Sequence, residues 1–141
     1  MKIKKLIESI EKATGKRVIL KEKITHNELD NIENFIDNLF KALNIDVIFT
    51  THFYDRLNDT RNINDIEPEE LIHLFKNFFV KYKDKINLIP LNKDSILKDL
   101  QTKLNLPFIM QYDKTTKEIN FVAKTIMRTD KFNSGDKKYF V

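Results

Sequence analysis

Apolar residues recur at helical spacing through much of the chain and alternate with polar ones in its last third. Leu29, Ile32, Phe35, Ile36, Leu39, Phe40 and Leu43 form a broad stripe that predicts a helix near residues 27–43, capped by Thr25 or Asn27. Leu71, Ile72, Leu74, Phe75, Phe78 and Phe79 predict a second over 68–83, and Pro68 suits its first turn. Ile3, Leu6, Ile7 and Ile10 mark another over 2–14, which Gly15 would end. Ile96, Leu97, Leu100 and Leu104 predict a short amphipathic helix over 93–103.

The remaining runs read as strands. Val47-Ile48-Phe49 predicts a buried strand over 46–50, with Thr50 or Thr51 capping a helix that follows. Residues 106–112 and 118–128 predict a hairpin around the polar turn 113–117. Along 118–128 strict alternation would place Lys124 and Arg128 on one sheet face. Residues 17–21 and 139–141 are further extended candidates, 58–65 is polar loop, and 84–92 is irregular around Pro90. The expected fold is α+β, with several helices packed on a small, three- or four-stranded, mainly antiparallel sheet. Residues 24–141 form one domain in this reading. Residues 1–23 form a helical leader or extension, because their pattern is self-contained and the charged run Lys21-Glu22-Lys23 follows it.

Composition narrows the chemistry. A chain of 141 residues supports one domain with a real core. No stretch reaches the roughly 18 consecutive apolar residues of a membrane span, and the basic start meets acids too early for a secretory signal. Without cysteine there is no disulfide, thiol nucleophile or sulfur ligand. His26, His52 and His73 lack metal-ligand spacing, and two glycines are too few for a glycine-rich nucleotide loop. No metal or cofactor is therefore expected. The net charge of +4 hides an asymmetry. Residues 1–75 carry 11 basic and 14 acidic side chains, whereas 76–141 carry 14 basic and 7 acidic, which suits either a phosphate-binding surface or a lysine-rich solvated face.

Arginine is scarce, with four in the chain, so its positions are informative. Arg56 and Arg61 lie close to His52, and His52 and Arg56 stand one helical turn apart on a shared face. Metal-free phosphodiester cleavage needs a proton carrier and fixed positive charge at the phosphorane oxygens. His52 supplies the first, and Arg56, Arg61, Lys124 and Arg128 are candidates for the second. Tyr54 and Tyr112 are candidates for stacking on bases. The competing reading makes Arg56 a structural partner of Asp55 or Asp59, and His73 a boundary residue of its helix.

The run Thr51-His52-Phe53-Tyr54-Asp55-Arg56, followed after a loop by Glu69-Glu70-Leu71-Ile72-His73-Leu74-Phe75, resembles the His-x-x-x-Arg helix segment of the RelE-like and RegB-like ribonucleases. That resemblance implies helices on one side of a small sheet and RNA on the other. It implies a metal-independent endoribonuclease or a related RNA-binding protein. His52 would then be general acid or base, Arg56 and Arg128 would stabilise the phosphorane, and Lys124 and Arg61 would position the RNA backbone. Segments 52–61 and 121–141 are similar to proteins of tailed bacteriophages, and residues 4–16 resemble leaders that some phages use to send cargo into the capsid. The implied setting is host cytoplasm or virion interior, with RNA or another nucleic acid, and capsid proteins, as partners and no membrane. The alternatives are a non-enzymatic internal virion protein that binds nucleic acid or capsid, and an inhibitor that docks on a host enzyme.

Overall fold

The computed structural model describes residues 12–13, 24–62 and 64–141. Lys12 and Ala13 are helical. The rest of the helix expected over 2–14, the extended stretch 17–21 and the boundary of the leader lie outside the described residues.

Among the described residues from 24 on, three helices and a six-stranded mixed sheet make an α+β fold. Helix α1 spans His26–Phe40 and passes into a 3-10 turn over Lys41–Leu43. Its cap is Thr25, whose hydroxyl accepts the Glu28 N–H at 3.1 Å while the Glu28 carboxylate accepts the Thr25 N–H at 3.3 Å. Strand β1 (Ile45–Phe49) follows, then α2 (Thr51–Leu57) and α3 (Pro68–Tyr82). Four strands and a two-residue segment complete the chain: β2 (Asp94–Asp99), β3 (Leu104–Asp113), β4 (Glu118–Ala123), β5 (Met127–Arg128) and β6 (Lys137–Phe140).

The strand order is β1-β4-β3-β2-β6, with β5 paired to the start of β3. Pairs β1–β4 and β2–β6 are parallel, and the other three are antiparallel. The sheet is therefore larger and more mixed than the sequence pattern predicts. The helix expected over 93–103 is instead β2 and a tight turn. Asp99 Oδ1 accepts the Gln101 N–H at 2.9 Å, and Lys103 takes a positive φ of 62°, which fold the chain back into β3. A short apolar run fits helix or strand equally, and pairing with β3 on one side and β6 on the other decides for strand.

One sheet face, carrying Val47, Leu97, Leu106, Phe108, Met110 and Phe121, packs against Ile36 and Phe40 of α1 and Leu74, Phe75 and Phe78 of α3. Phe108 and Phe121 stack with ring centres 4.3 Å apart, and Phe78 meets both at 6.2 and 5.7 Å. Each such ring contributes about 1.5–3 kcal/mol by leaving water. The other face bears no helix among the described residues. Residues 129–136 cross it to reach β6, with the Lys138 ammonium donating to the Ser134 carbonyl at 2.8 Å. Beneath them Ile96 is fully buried, although it stands outside the main core cluster.

Candidate functional site

The stretch from Thr50 to Arg61 folds as the sequence pattern suggests. Thr50 is the cap of α2: its hydroxyl accepts the Phe53 N–H at 3.0 Å and donates to the Lys124 carbonyl at 2.9 Å. The Thr50 N–H also donates to the Ala123 carbonyl at 3.3 Å, so the start of α2 is tied to the end of β4. His52 and Lys124 both lie exposed near this junction. The Lys124 ammonium pairs with Asp94 at 2.8 Å, on the helix-free face.

The arginines are less available. Arg56 pairs with Asp59 at 3.3 Å, and Arg61 pairs with the same carboxylate at 2.8 Å. The structural reading of Arg56 is the one the geometry matches. Tyr54 is half-buried, with its ring stacked on His26 at 3.6 Å between centres, which covers one of its faces. Tyr112 is exposed at the far end of β3. His73 is exposed on α3.

Arg128 corrects the expected site most clearly. The strand expected over 118–128 stops at Ala123, and Arg128 belongs to β5, so the alternation that put it beside Lys124 does not hold. Its side chain is buried, and all five of its N–H donors are occupied. Nε donates to the Asn64 carbonyl at 3.2 Å. One terminal nitrogen donates to Glu70 Oε2 at 2.9 Å and the Thr102 carbonyl at 3.0 Å. The other donates to the Asp65 carbonyl at 3.0 Å and to Glu70 Oε1. No donor remains for a phosphorane oxygen. Arg128 holds together the loop before α3, the first turn of α3 and the β2–β3 turn.

Of its two side-chain partners, Glu70 and Asn62, only the first carries a signal in the sequence. Glu70 stands three residues after Glu67 and accepts its N–H at 3.1 Å, a capping-box arrangement at the start of an apolar helix. Asn62 is buried, donates to the Arg56 carbonyl at 3.0 Å, and accepts the Arg128 N–H at 2.8 Å. It links the end of α2 to β5. Nothing in its loop context marked it.

A separate acidic group forms where α1 lies along β1. Asp37 accepts the Val47 N–H at 2.7 Å, and Glu33 stands one helical turn earlier on the same side of α1. Burial, then the neighbouring charges of Asp37 and Asp46, push the Glu33 carboxyl up to about 7. Burial, opposed by the Val47 N–H and reinforced by the neighbouring Asp46 carboxyl, pushes Asp37 up to about 6. A cleft of about 320 Å³ opens beside them, lined by Asp37, Lys41, Asn44, Asp46 and Glu118. Two further clefts, of about 170 and 450 Å³, lie around Lys98, Lys103 and Asp130, and around Lys93, Asp94 and Lys137. None of the three is lined by His52, Arg56, Arg61 or Arg128. Among the described residues no group of three or more His, Asp or Glu side chains is arranged to hold a metal ion, and no helix is long and apolar enough to cross a membrane. No protein-family model, curated protein or solved structure matches the chain.

Proposed function

We propose that the protein binds RNA on the half of its helix-free sheet face that residues 129–136 cross, without cleaving it. The observation that carries this reading is the separation of charge along the fold. Residues 24–75, which hold α1, β1, α2 and the start of α3, carry 3 basic and 11 acidic side chains, a balance of −8. Residues 76–141 carry a balance of +7. On the helix-free face the acids Asp46 and Glu118 lie at the β1 end, whereas Lys98, Lys124 and Lys138 lie toward the crossing segment 129–136, with Asp94 beside Lys124, and Lys131 is exposed on that segment. Half-buried Ile48, Val122 and Ile109 form a row across the same face. Phosphates take cations spread along a surface, and exposed lysines suffice for binding that is not sequence-specific.

Cleavage has weaker support. Of the three residues assigned to it, Arg128 is saturated inside the protein and Arg56 is held by Asp59. His52 alone stands exposed. One experiment separates the two activities. Fluorescence anisotropy of a labelled RNA in EDTA, at low and moderate salt, should show affinity that falls steeply with salt, by a log–log slope of roughly −0.7 per phosphate contact. The triple variant Lys124→Gln/Lys131→Gln/Lys138→Gln should flatten that slope. Absence of binding at low salt, or an unchanged slope in the variant, rules the reading out. The same mixtures run on a denaturing gel report cleavage, and cleavage that disappears in His52→Ala would restore the nuclease.

A further inference from the structure

The turn between β2 and β3 holds polarity that the fold leaves unmatched. Asn105, near the start of β3, is 1% exposed and stands opposite Lys98 on the helix-free face. Its Nδ2 donates to the carbonyls of Lys103 at 3.1 Å, Met127 at 3.3 Å and Thr129 at 3.0 Å. Those three acceptors fix the amide, because the flipped form would set Oδ1 against them. Among the described residues Oδ1 has no hydrogen-bond partner, and the same holds of Thr102 Oγ1 in this turn. A buried acceptor is costly to leave unmatched.

Asn105 lines the cleft of about 170 Å³ beside the turn, with Lys98, Asp99, Leu100, Lys103 and Asp130. The cleft is smaller than the roughly 300–1,000 Å³ of pockets for drug-sized ligands, so it suits one small flat group. Its inner wall offers acceptors. One is Asn105 Oδ1; the other is the buried Asp99 carboxylate, whose Oδ1 accepts the Gln101 N–H at 2.9 Å, leaving Oδ2. Its outer side offers loosely held donors: the Lys98 ammonium meets the Phe132 carbonyl and the Lys103 ammonium meets Asp130, each at 3.5 Å. Leu100, 67% exposed, adds an apolar edge.

An unpaired nucleobase has the matching chemistry, with apolar faces and an edge where donors and acceptors sit side by side. We propose that this cleft takes one unpaired base of the bound RNA by its exocyclic amine, so that the protein prefers amine-bearing bases to uracil. The inference rests on the RNA-binding reading above. The amine donates to Asn105 Oδ1 and the Asp99 carboxylate, the adjoining ring acceptor receives a hydrogen bond from Lys98 or Lys103, and Leu100 packs on the ring. Uracil carries a carbonyl where cytosine carries its amine, and at the inner wall that oxygen would face oxygen. The position fits as well. Lys98 belongs both to the cleft and to the lysines of the proposed RNA face, and Thr129 and Asp130, which begin the crossing segment, complete the lining.

Fluorescence anisotropy with short labelled oligocytidine and oligouridine of equal length, at neutral pH and low salt, tests the cleft. Oligocytidine should bind at least about fivefold tighter. Asp99→Asn keeps an acceptor for the turn and puts an amide donor in place of Oδ2, so the preference should shrink below about twofold. In the unsubstituted chain the NMR signals of the Asn105 side-chain amide should shift on adding oligocytidine and stay in place with oligouridine. Equal affinity for the two oligomers, or a preference that Asp99→Asn leaves unchanged, overturns the base pocket and leaves the RNA-binding face standing. Binding of neither oligomer overturns both. Should Asp99→Asn fail to fold, the NMR comparison decides, since amide signals unmoved by oligocytidine also overturn the pocket.

Discussion

Arg128 in β5 and Glu70 in the first turn of α3, 58 positions apart, face each other as a two-pronged ion pair. Both are needed to satisfy the other, and the backbone carbonyls of Asn64, Asp65 and Thr102 take the remaining arginine donors. Removing one partner of a buried pair leaves an uncompensated charge and typically costs about 3–5 kcal/mol. Arg128→Ala should therefore lower the urea midpoint sharply. Arg128→Lys should recover only part of the loss, because an ammonium cannot reproduce the planar fork. A phosphate-binding arginine behaves otherwise, since its removal would weaken RNA affinity and leave the midpoint in place.

His52 makes the opposite prediction. It is exposed on the first turn of α2, so His52→Ala should change unfolding free energy by less than about 0.5 kcal/mol in urea titration. That neutrality makes the variant clean for function: any change in RNA handling that accompanies it reflects chemistry at the imidazole and not a damaged fold. A large loss of stability would show that the imidazole has a structural partner.

The contrast between these two residues also explains what could be read from the sequence. Stripes such as Leu29–Phe40 and Leu71–Phe79 repeat often enough that only a helix satisfies them, and α1 and α3 lie where the pattern puts them. Thr50 and Pro68 carry local signals and occupy the expected cap and first-turn positions. The run around Ile96 and Leu97 is too short for its own period to choose, and its neighbours β3 and β6 come from distant sequence. Alternation puts Arg128 beside Lys124 only along one unbroken strand, and the interruption at 124–126 breaks that count. A basic residue among Lys and Asp on a strand-like segment gives no sign that Glu70 awaits it. Asp37 sits on the flank of the α1 stripe, where acids ordinarily face water, and only the position of β1 gives it an N–H partner.

Thr50 joins two elements through one hydroxyl, accepting from Phe53 and donating to the carbonyl of Lys124. Thr50→Val keeps the shape and removes both bonds. Losing the cap alone costs about 1 kcal/mol, and the orphaned carbonyl adds to it, so a total near 2 kcal/mol is expected in urea titration. Thr50→Ser should retain most of the stability. If Thr50→Val and Thr50→Ser were equally stable, the hydroxyl would not be what joins α2 to β4.

The paired carboxyls of α1 give global stability a particular dependence on pH. Glu33 moves from an ordinary value of 4.5 to about 7 in the folded protein, and Asp37 from 3.8 to about 6. The folded state therefore binds more protons than the unfolded chain between pH 4 and pH 7, and the stability this provides is lost as pH rises through the folded values. Urea unfolding should show stability falling from pH 5 to pH 8, by about 1–2 kcal/mol once solvent screening at these half-buried sites is counted. Glu33→Gln/Asp37→Asn should flatten the curve over this window and leave the protein at pH 8 at least as stable as the unsubstituted chain. A curve that rises from pH 5 to pH 8 would mean that the carboxyls are held as well-solvated anions in the folded state, and that the crowding between Asp37 and Asp46 is relieved in solution.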